Sequence, residues 1–128
     1  IDRYINMVKK EMELSNNEKI VPFIGILDAY LEKLSSFTSW VKDKIQNSKD
    51  DANAASNDYL KVLGLVAVGY SWLKVLQVSF EDYDNNKNFY EDKIQTANFF
   101  FQRVLPRIDT HCSSAMSGSR YIKDFKFI

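Results

Sequence analysis

The sequence predicts an all-α fold: an up-down four-helix bundle of one short and three long helices, with a short C-terminal segment. Three observations predict it. Only four Gly and two Pro occur in 128 residues, apolar residues recur every three or four positions, and no stretch alternates polar and apolar residues as a strand does. So few helix-breaking residues favour long helices joined by short turns, which pack as an up-down bundle.

The first two helices are predicted from capping residues and apolar spacing. The first helix runs from Asp2, as its cap, to about Leu14. The second runs from Pro22 to about Asn47, because proline fits the first turn of a helix, where its missing N–H would be unpaired in any case. Apolar residues spaced by three and four along this stretch indicate an amphipathic helix.

The third helix is the most apolar of the set. Asp50 or Asp51 can cap it, and it continues to about Glu81. Between Leu60 and Leu76 it is apolar on most sides, so we expect it to be the most buried helix of the bundle.

The fourth helix is predicted from about Lys87 to Gly118, with Pro106 inside it. Proline lacks the N–H that an interior helical position donates, and its ring crowds the preceding turn. We therefore expect a kink at Pro106, unless the helix restarts there.

Three consecutive phenylalanines lie in the fourth helix. They span about 200° of arc on a helix, so they cannot all face one core. Phe101 fits the inward stripe, which leaves Phe99 and Phe100 to pack on the first helix or to face a surface outside the chain. The C-terminal tail is also rich in apolar side chains that can dock on another surface. The interface candidates are therefore Phe99, Phe100, Tyr121, Phe125 and Phe127.

Composition narrows the classes of partner and compartment. Lys and Arg number 17 and so do Asp and Glu, which does not favour a nucleic-acid partner. The longest nearly uncharged stretch, Val62–Leu73, is shorter than the roughly 20 residues of a membrane span, so no span is predicted. The single Cys112 excludes an intramolecular disulfide and fits a reducing, cytoplasmic location.

The sequence offers no residues for catalysis, cofactor binding or metal binding. His111 is the only histidine, and position 108 is Ile, so the Glu-x-x-His pairs of a di-iron bundle are missing. We interpret His111 as a partly buried or helix-end residue and Cys112 as an unreactive thiol. Gly64 and Gly69 lie within a helix that no strand precedes, so they do not form a phosphate-binding loop.

Two apolar stretches carry a resemblance to a known family: Tyr59–Trp72, YLKVLGLVAVGYSW, and Gln95–Pro106, QTANFFFQRVLP. In order and spacing they resemble the C-terminal helical module of a subset of flavin-dependent acyl-CoA dehydrogenases, the acetyl-CoA dehydrogenase C-terminal-like domain. The resemblance covers about residues 2–125. It implies structural motif residues rather than chemical ones: Tyr59, Leu60, Gly64, Gly69, Trp72, Ala97, Phe101, Arg103 and Pro106.

Two of these motif residues carry further expectations. A charge on a largely apolar helix needs a partner, so we expect Arg103 to meet an acidic side chain or a carbonyl. Trp72 is either buried in the core or turned towards a surface outside this chain.

The resemblance implies a parent enzyme, a cytoplasmic oxidoreductase of fatty acid metabolism that removes hydrogens α,β to an acyl-CoA thioester and passes a hydride to FAD. In that family the catalytic carboxylate and the flavin contacts lie upstream of this module, so no catalytic residue is carried over. FAD is expected in the parent and no cofactor in residues 1–128. The expected partners are the catalytic body and a second subunit, with acyl-CoA reached only through the parent.

Two other classes of protein remain as alternatives. The chain begins with Ile1 rather than Met, so we expect one domain, residues 1–128, excised from a larger protein. A free-standing helical interaction module would instead use the apolar aromatic residues to bind a partner protein. An independent bundle enzyme or metalloprotein lacks the paired ligands that it would need.

Overall fold

A computed structural model of the chain describes residues 1–15 and 17–119, which fold almost entirely into helices. The last two helices follow each other through a π turn and together form the fourth rod, so the predicted bundle of one short and three long helical rods is confirmed. The α-helices of this part of the chain are α1 (Asp2–Glu13), α2 (Val21–Asn47), α3 (Lys49–Glu81), α4 (Lys87–Phe99) and α5 (Arg107–Met116).

Helix α2 matches its prediction closely. A 3-10 turn, Glu18–Ile20, leads into it, and Pro22 lies in its first turn, where no backbone hydrogen bond is lost. The helix ends at Asn47, and Ser48 alone separates it from α3, so the two longest helices form a tight hairpin. Its inward residues are Leu27, Leu31, Leu34, Phe37 and Thr38.

The predicted caps of α1 and α3 were wrong. Ser48 occupies the N-cap position of α3 and Ile1 that of α1, and neither makes a side-chain capping bond. The backbone of Ser48 is non-helical, with φ −156° and ψ 87°, and the helical conformation begins at the next residue. Asp50 and Asp51 consequently lie inside the first turn, where a carboxylate interacts favourably with the helix dipole.

Helix α3 is the centre of the bundle and packs against α2, α4 and α5. Its link to α1 is made by side chains: the rings of Tyr4 and Tyr70 meet edge to face, and the Tyr70 hydroxyl donates a hydrogen bond to Glu11. It contributes more buried residues than any other described helix. These are Ala52, Ala55, Val62, Val66, Gly69, Tyr70, Leu73, Leu76 and Ser79.

The predicted disruption at Pro106 takes the form of a restart. The helix widens into a π turn, Phe100–Val104, in which the Leu105 N–H donates to the Phe100 carbonyl at 2.8 Å. Helix α5 then begins directly after Pro106, whose missing N–H is harmless at that position. The wider turn points two adjacent rings inward: Phe100 is 7% exposed and Phe101 1% exposed.

Candidate functional site

The solvent-facing side of α3 is unusually apolar. Leu60, Val68 and Val78 are 66%, 45% and 53% exposed, respectively. The residues between them on the same side are small or aliphatic. We call this surface the outer face of α3 and define it by Leu60, Gly64, Ala67, Val68, Ser71, Val75 and Val78.

Helical spacing explains why these seven residues share one side. At 3.6 residues per turn they fall within about 100° of arc, roughly opposite the buried stripe that includes Val66 and Leu73. From residue 60 to residue 78 the outer face is about 27 Å long at 1.5 Å per residue. A contiguous apolar surface of this kind marks a contact site more often than a free surface.

Three shallow clefts follow the outer face, and the charged residues along them are basic. Lys61 and Arg107 line a cleft of about 420 Å³ between α3 and α5. Lys74 and Lys93 line one of about 400 Å³ between α3 and α4. The cleft between them is formed by Val68, Ser71, Trp72 and Val75. No carboxylate lines any of the three within the described residues.

Two of the four cations are held over aromatic rings rather than beside carboxylates. The Lys74 ammonium lies 4.3 Å from the centroid of the Tyr70 ring, and the Lys93 ammonium lies 5.2 Å from that of Phe89. Neither ammonium lies within ion-pair distance of a carboxylate of the described residues, although Glu11 lines a small neighbouring cleft together with Lys74. The outer face of α3 is therefore an apolar surface with positive charge near both of its ends.

His111 lies at the edge of the α3–α5 cleft. Its Nδ1 is 2.9 Å from an Asp58 carboxylate oxygen, and both side chains are about one-fifth exposed. This agrees with the sequence-based interpretation of a partly buried histidine. The contact connects α5 to α3 beside the cleft that Arg107 also lines.

A separate cleft of about 430 Å³ lies between α2 and α5, on the other side of the domain. Lys33 forms an ion pair with Asp109 inside it, so its charges compensate each other. Burial raises the pKa of the Cys112 thiol above its ordinary value, and the nearby Asp109 carboxylate acts in the same direction. The thiolate is thereby disfavoured, which agrees with an unreactive cysteine.

The last described residues are attached to the start of α3. Asp51 accepts hydrogen bonds from the Ser119 backbone N–H and hydroxyl, each at 2.7 Å. These two bonds lower the pKa of the Asp51 carboxyl to about 2, with smaller contributions from a hydrogen bond with Ser48 and from the Lys44 charge. Gly118 makes the approach possible because its φ of +80° suits glycine.

The motif residues from the resemblance divide into an inner and an outer set. Gly69, Ala97 and Phe101 are buried, and a side chain at Gly69 would meet Leu27 Cδ1 at 3.2 Å. Tyr59 is half-buried, and its hydroxyl lies 2.8 Å from that of Thr38.

The outer set lies at or near the surface, although Trp72 also packs against the core. Leu60 and Gly64 lie on the outer face, and a Cβ built at Gly64 would have no neighbour within 4 Å among residues 1–15 and 17–119. Trp72 is half-buried at the edge of the same face, and Pro106 is half-buried at the π turn. The expected partner of Arg103 is not found among the described residues: its side chain is exposed, so water solvates the charge.

The interface candidates differ in exposure. Phe99 is 61% exposed, whereas Phe100 packs into the core and is not available to a partner. Sequence reasoning missed this because the π turn changes the angle between consecutive side chains. Tyr121, Phe125 and Phe127 lie outside the described residues.

Two further features bear on function. Within residues 1–15 and 17–119, no group of three or more His, Cys, Asp or Glu side chains could hold a metal ion. Helix α3 is long and apolar enough to cross a membrane by length and composition alone, and 33% of its most apolar window is buried inside the domain. One such helix is weak evidence for a membrane span, because core helices of soluble proteins pass the same test.

Comparison with known proteins gives a family. A sequence model of the family described as acetyl-CoA dehydrogenase C-terminal like matches residues 4–126, nearly the whole chain. Neither curated proteins nor solved structures give a match.

Proposed function

Because the chain belongs to the acetyl-CoA dehydrogenase C-terminal-like family, we propose that it is the accessory domain of a flavin-dependent acyl-CoA dehydrogenase. The parent enzyme removes hydrogens α,β to an acyl-CoA thioester and passes a hydride to FAD. The domain itself is non-catalytic and serves packing, oligomer contacts or cover of the active site. FAD and acyl-CoA are bound by the parent's catalytic body.

The outer face of α3 is the observation that carries this proposal. An isolated domain gains stability by turning apolar side chains inward, yet the longest helix here presents Leu60, Val68 and Val78 to solvent. Covering this surface with a second body removes it from water. A domain whose function is to pack against a larger enzyme needs such a surface.

A native-size measurement tests the parent enzyme. An antibody to residues 1–128 is used to identify and purify the protein from its source cells, and the flavin absorbance of the purified band is recorded. We expect a yellow polypeptide several times heavier than 14.9 kDa. A colourless band near 14.9 kDa would overturn the proposal and favour a free-standing interaction module.

A binding measurement on residues 1–128 tests the non-catalytic role separately. The fragment is titrated with FAD and with an acyl-CoA in a calorimeter. We expect no stoichiometric binding of either compound. Tight one-to-one flavin binding would contradict an accessory role.

A further inference from the structure

We infer that the outer face of α3 docks on the remainder of the parent polypeptide, against an apolar helical surface that carries carboxylates near both ends of the contact. This inference rests on the proposed function and specifies the partner surface within it.

The middle of the outer face suits another helix. Gly64, Ala67 and Ser71 are small and follow one another at helical spacings of three and four. No atom of the described residues lies within 4 Å of a Cβ built at Gly64, so this part of the chain leaves the space in front of that residue open. The distance between two packed helices is set by the side chains at their contact, and small residues permit the shortest distances.

The charges along the face specify the chemistry of the partner. Lys61 and Arg107 lie near one end, Lys74 and Lys93 lie near the other, and no carboxylate of the described part lines the three clefts. The chain as a whole is electrically balanced, so this is a local excess of one sign. Opposite potentials across an interface favour association and fix its register, which calls for acidic side chains on the partner.

A second copy of the domain does not provide such a surface. A two-fold axis perpendicular to α3 would place Lys61 and Arg107 opposite Lys74 and Lys93. An axis along α3 would place each cation near its own equivalent. Both arrangements oppose like charges in an isologous contact, which disfavours self-association through this face.

A lipid surface fits the charges but not the side chains. Helices that lie on membranes insert bulky residues such as Trp, Phe and Leu from the centre of their apolar face. The centre of the outer face has Gly64, Ala67 and Ser71 instead. The side chains of these residues are too short to insert into a bilayer.

Photocrosslinking in the full-length protein tests the docking surface. Benzoylphenylalanine replaces Leu60 in one variant and Val78 in another. Ile45, a 54% exposed apolar residue of α2, is replaced in the control. We expect positions 60 and 78 to crosslink to peptides of the same polypeptide outside residues 1–128, next to carboxylates, and position 45 to give no such product.

The products also separate this inference from the proposed function. A heavy, yellow protein with no crosslink from position 60 or 78 would overturn the docking surface and leave the accessory domain standing. Crosslinks to lipid or to a second copy's α3 would also overturn the docking surface. Crosslinks to a separate polypeptide in a colourless preparation would overturn both.

Two matched substitutions test the close approach. Gly64 and Gly25 are exposed helical glycines, each with nothing within 4 Å of an added Cβ. Gly64→Leu should speed hydrogen exchange of the crosslinked partner peptides by about tenfold or more in the full-length protein, because the new side chain holds the helices apart. Gly25→Leu should leave that exchange unchanged, and equal effects of both changes would contradict the inference.

A charge reversal tests the acidic partner. Lys61→Glu should speed exchange of the same peptides, with an effect that shrinks as salt is added. Lys10→Glu, on the exposed side of α1, is the control and should not affect them. No effect of Lys61→Glu at low salt would remove the carboxylates from the proposed partner surface.

Discussion

Helices α2 and α3 form a hairpin and are the two longest helices of the described chain, at 27 and 33 residues, yet their solvent-facing sides differ in chemistry. The exposed side of α2 carries charges that pair with neighbouring helices: Lys9 of α1 with Glu32, and Asp109 of α5 with Lys33. The exposed side of α3 carries the apolar outer face.

The difference indicates which of the two surfaces still lacks a partner. On α2 the charges of Glu32 and Lys33 are paired within the domain, and water solvates the other exposed polar side chains. On α3 the described chain covers the apolar side chains of Leu60, Val68 and Val78 only in part, and about half of each remains exposed. Both helices have a buried inner side, so the contrast concerns contacts beyond the domain rather than the stability of either helix.

The largest expected effect tests whether the buried sides of α2 and α3 contribute similarly to stability. Leu34 of α2 and Leu76 of α3 are fully buried. Replacement of either by Ala should lower the free energy of unfolding by about 2–5 kcal/mol, since it removes apolar contact and leaves a cavity. Leu60→Ala, on the outer face, should change it by less than about 0.5 kcal/mol. Urea denaturation measures all three, and a large loss at Leu60 would show that the outer face belongs to the core.

Replacement of Gly69 or Gly64 of α3 by leucine should change the free energy of unfolding in opposite directions. A Cβ at Gly69 meets Leu27 Cδ1 at 3.2 Å and Phe100 Cε1 at 3.5 Å, whereas one at Gly64 meets no atom of the described chain within 4 Å. Gly69→Leu should therefore destabilise the domain by about 1–3 kcal/mol through overpacking. Gly64→Leu should stabilise the domain of residues 1–128 by up to about 1 kcal/mol, because leucine favours the helix. Destabilisation by Gly64→Leu in urea would contradict an open outer face.

A smaller effect is expected at the contact between the two helices. The hydroxyls of Thr38 on α2 and Tyr59 on α3 are 2.8 Å apart, and Thr38 is 4% exposed. Tyr59→Phe should cost about 1 kcal/mol, because it removes one hydrogen bond and leaves the Thr38 hydroxyl without it. Combination with Thr38→Val should cost less than the sum of the single changes in a double-mutant cycle. Additive losses would mean that the hydroxyls do not interact.

The smallest expected effect concerns the attached end of α3. Asp51 has a folded-state pKa of about 2, below its ordinary 3.8. Its contribution to stability is thus fully present above about pH 4 and is lost as the pH falls towards 2. Asp51→Asn should reduce stability at neutral pH and flatten the loss of stability between these values.

Thermal unfolding as a function of pH measures this change. Ser119→Ala keeps the backbone bond and removes the hydroxyl bond, so it should give a weaker effect of the same sign. An unchanged acid profile in Asp51→Asn would show that the contact does not stabilise the fold.

Much of the fold could be predicted because helical spacing is local information. The apolar residues of α2 and Pro22 placed that helix, and its predicted end at Asn47 was confirmed. The expectation of a broken fourth helix followed from the missing N–H of Pro106. The caps at Asp2, Asp50 and Asp51 were wrong because carboxylates are favourable in the first turn as well as at the cap, and sequence does not distinguish the two positions.

The candidate site could be predicted only in part. The sequence by itself determined that α3 is apolar on most sides, since its composition between Leu60 and Leu76 is independent of its neighbours. It also determined the family, since the family model matches residues 4–126. Only the tertiary structure decided which side of α3 is covered, because burial depends on where α2, α4 and α5 pack. The π turn that brings Phe100 inward also depends on that packing, and so does the gathering of Lys61 and Arg107 from distant parts of the chain into one cleft.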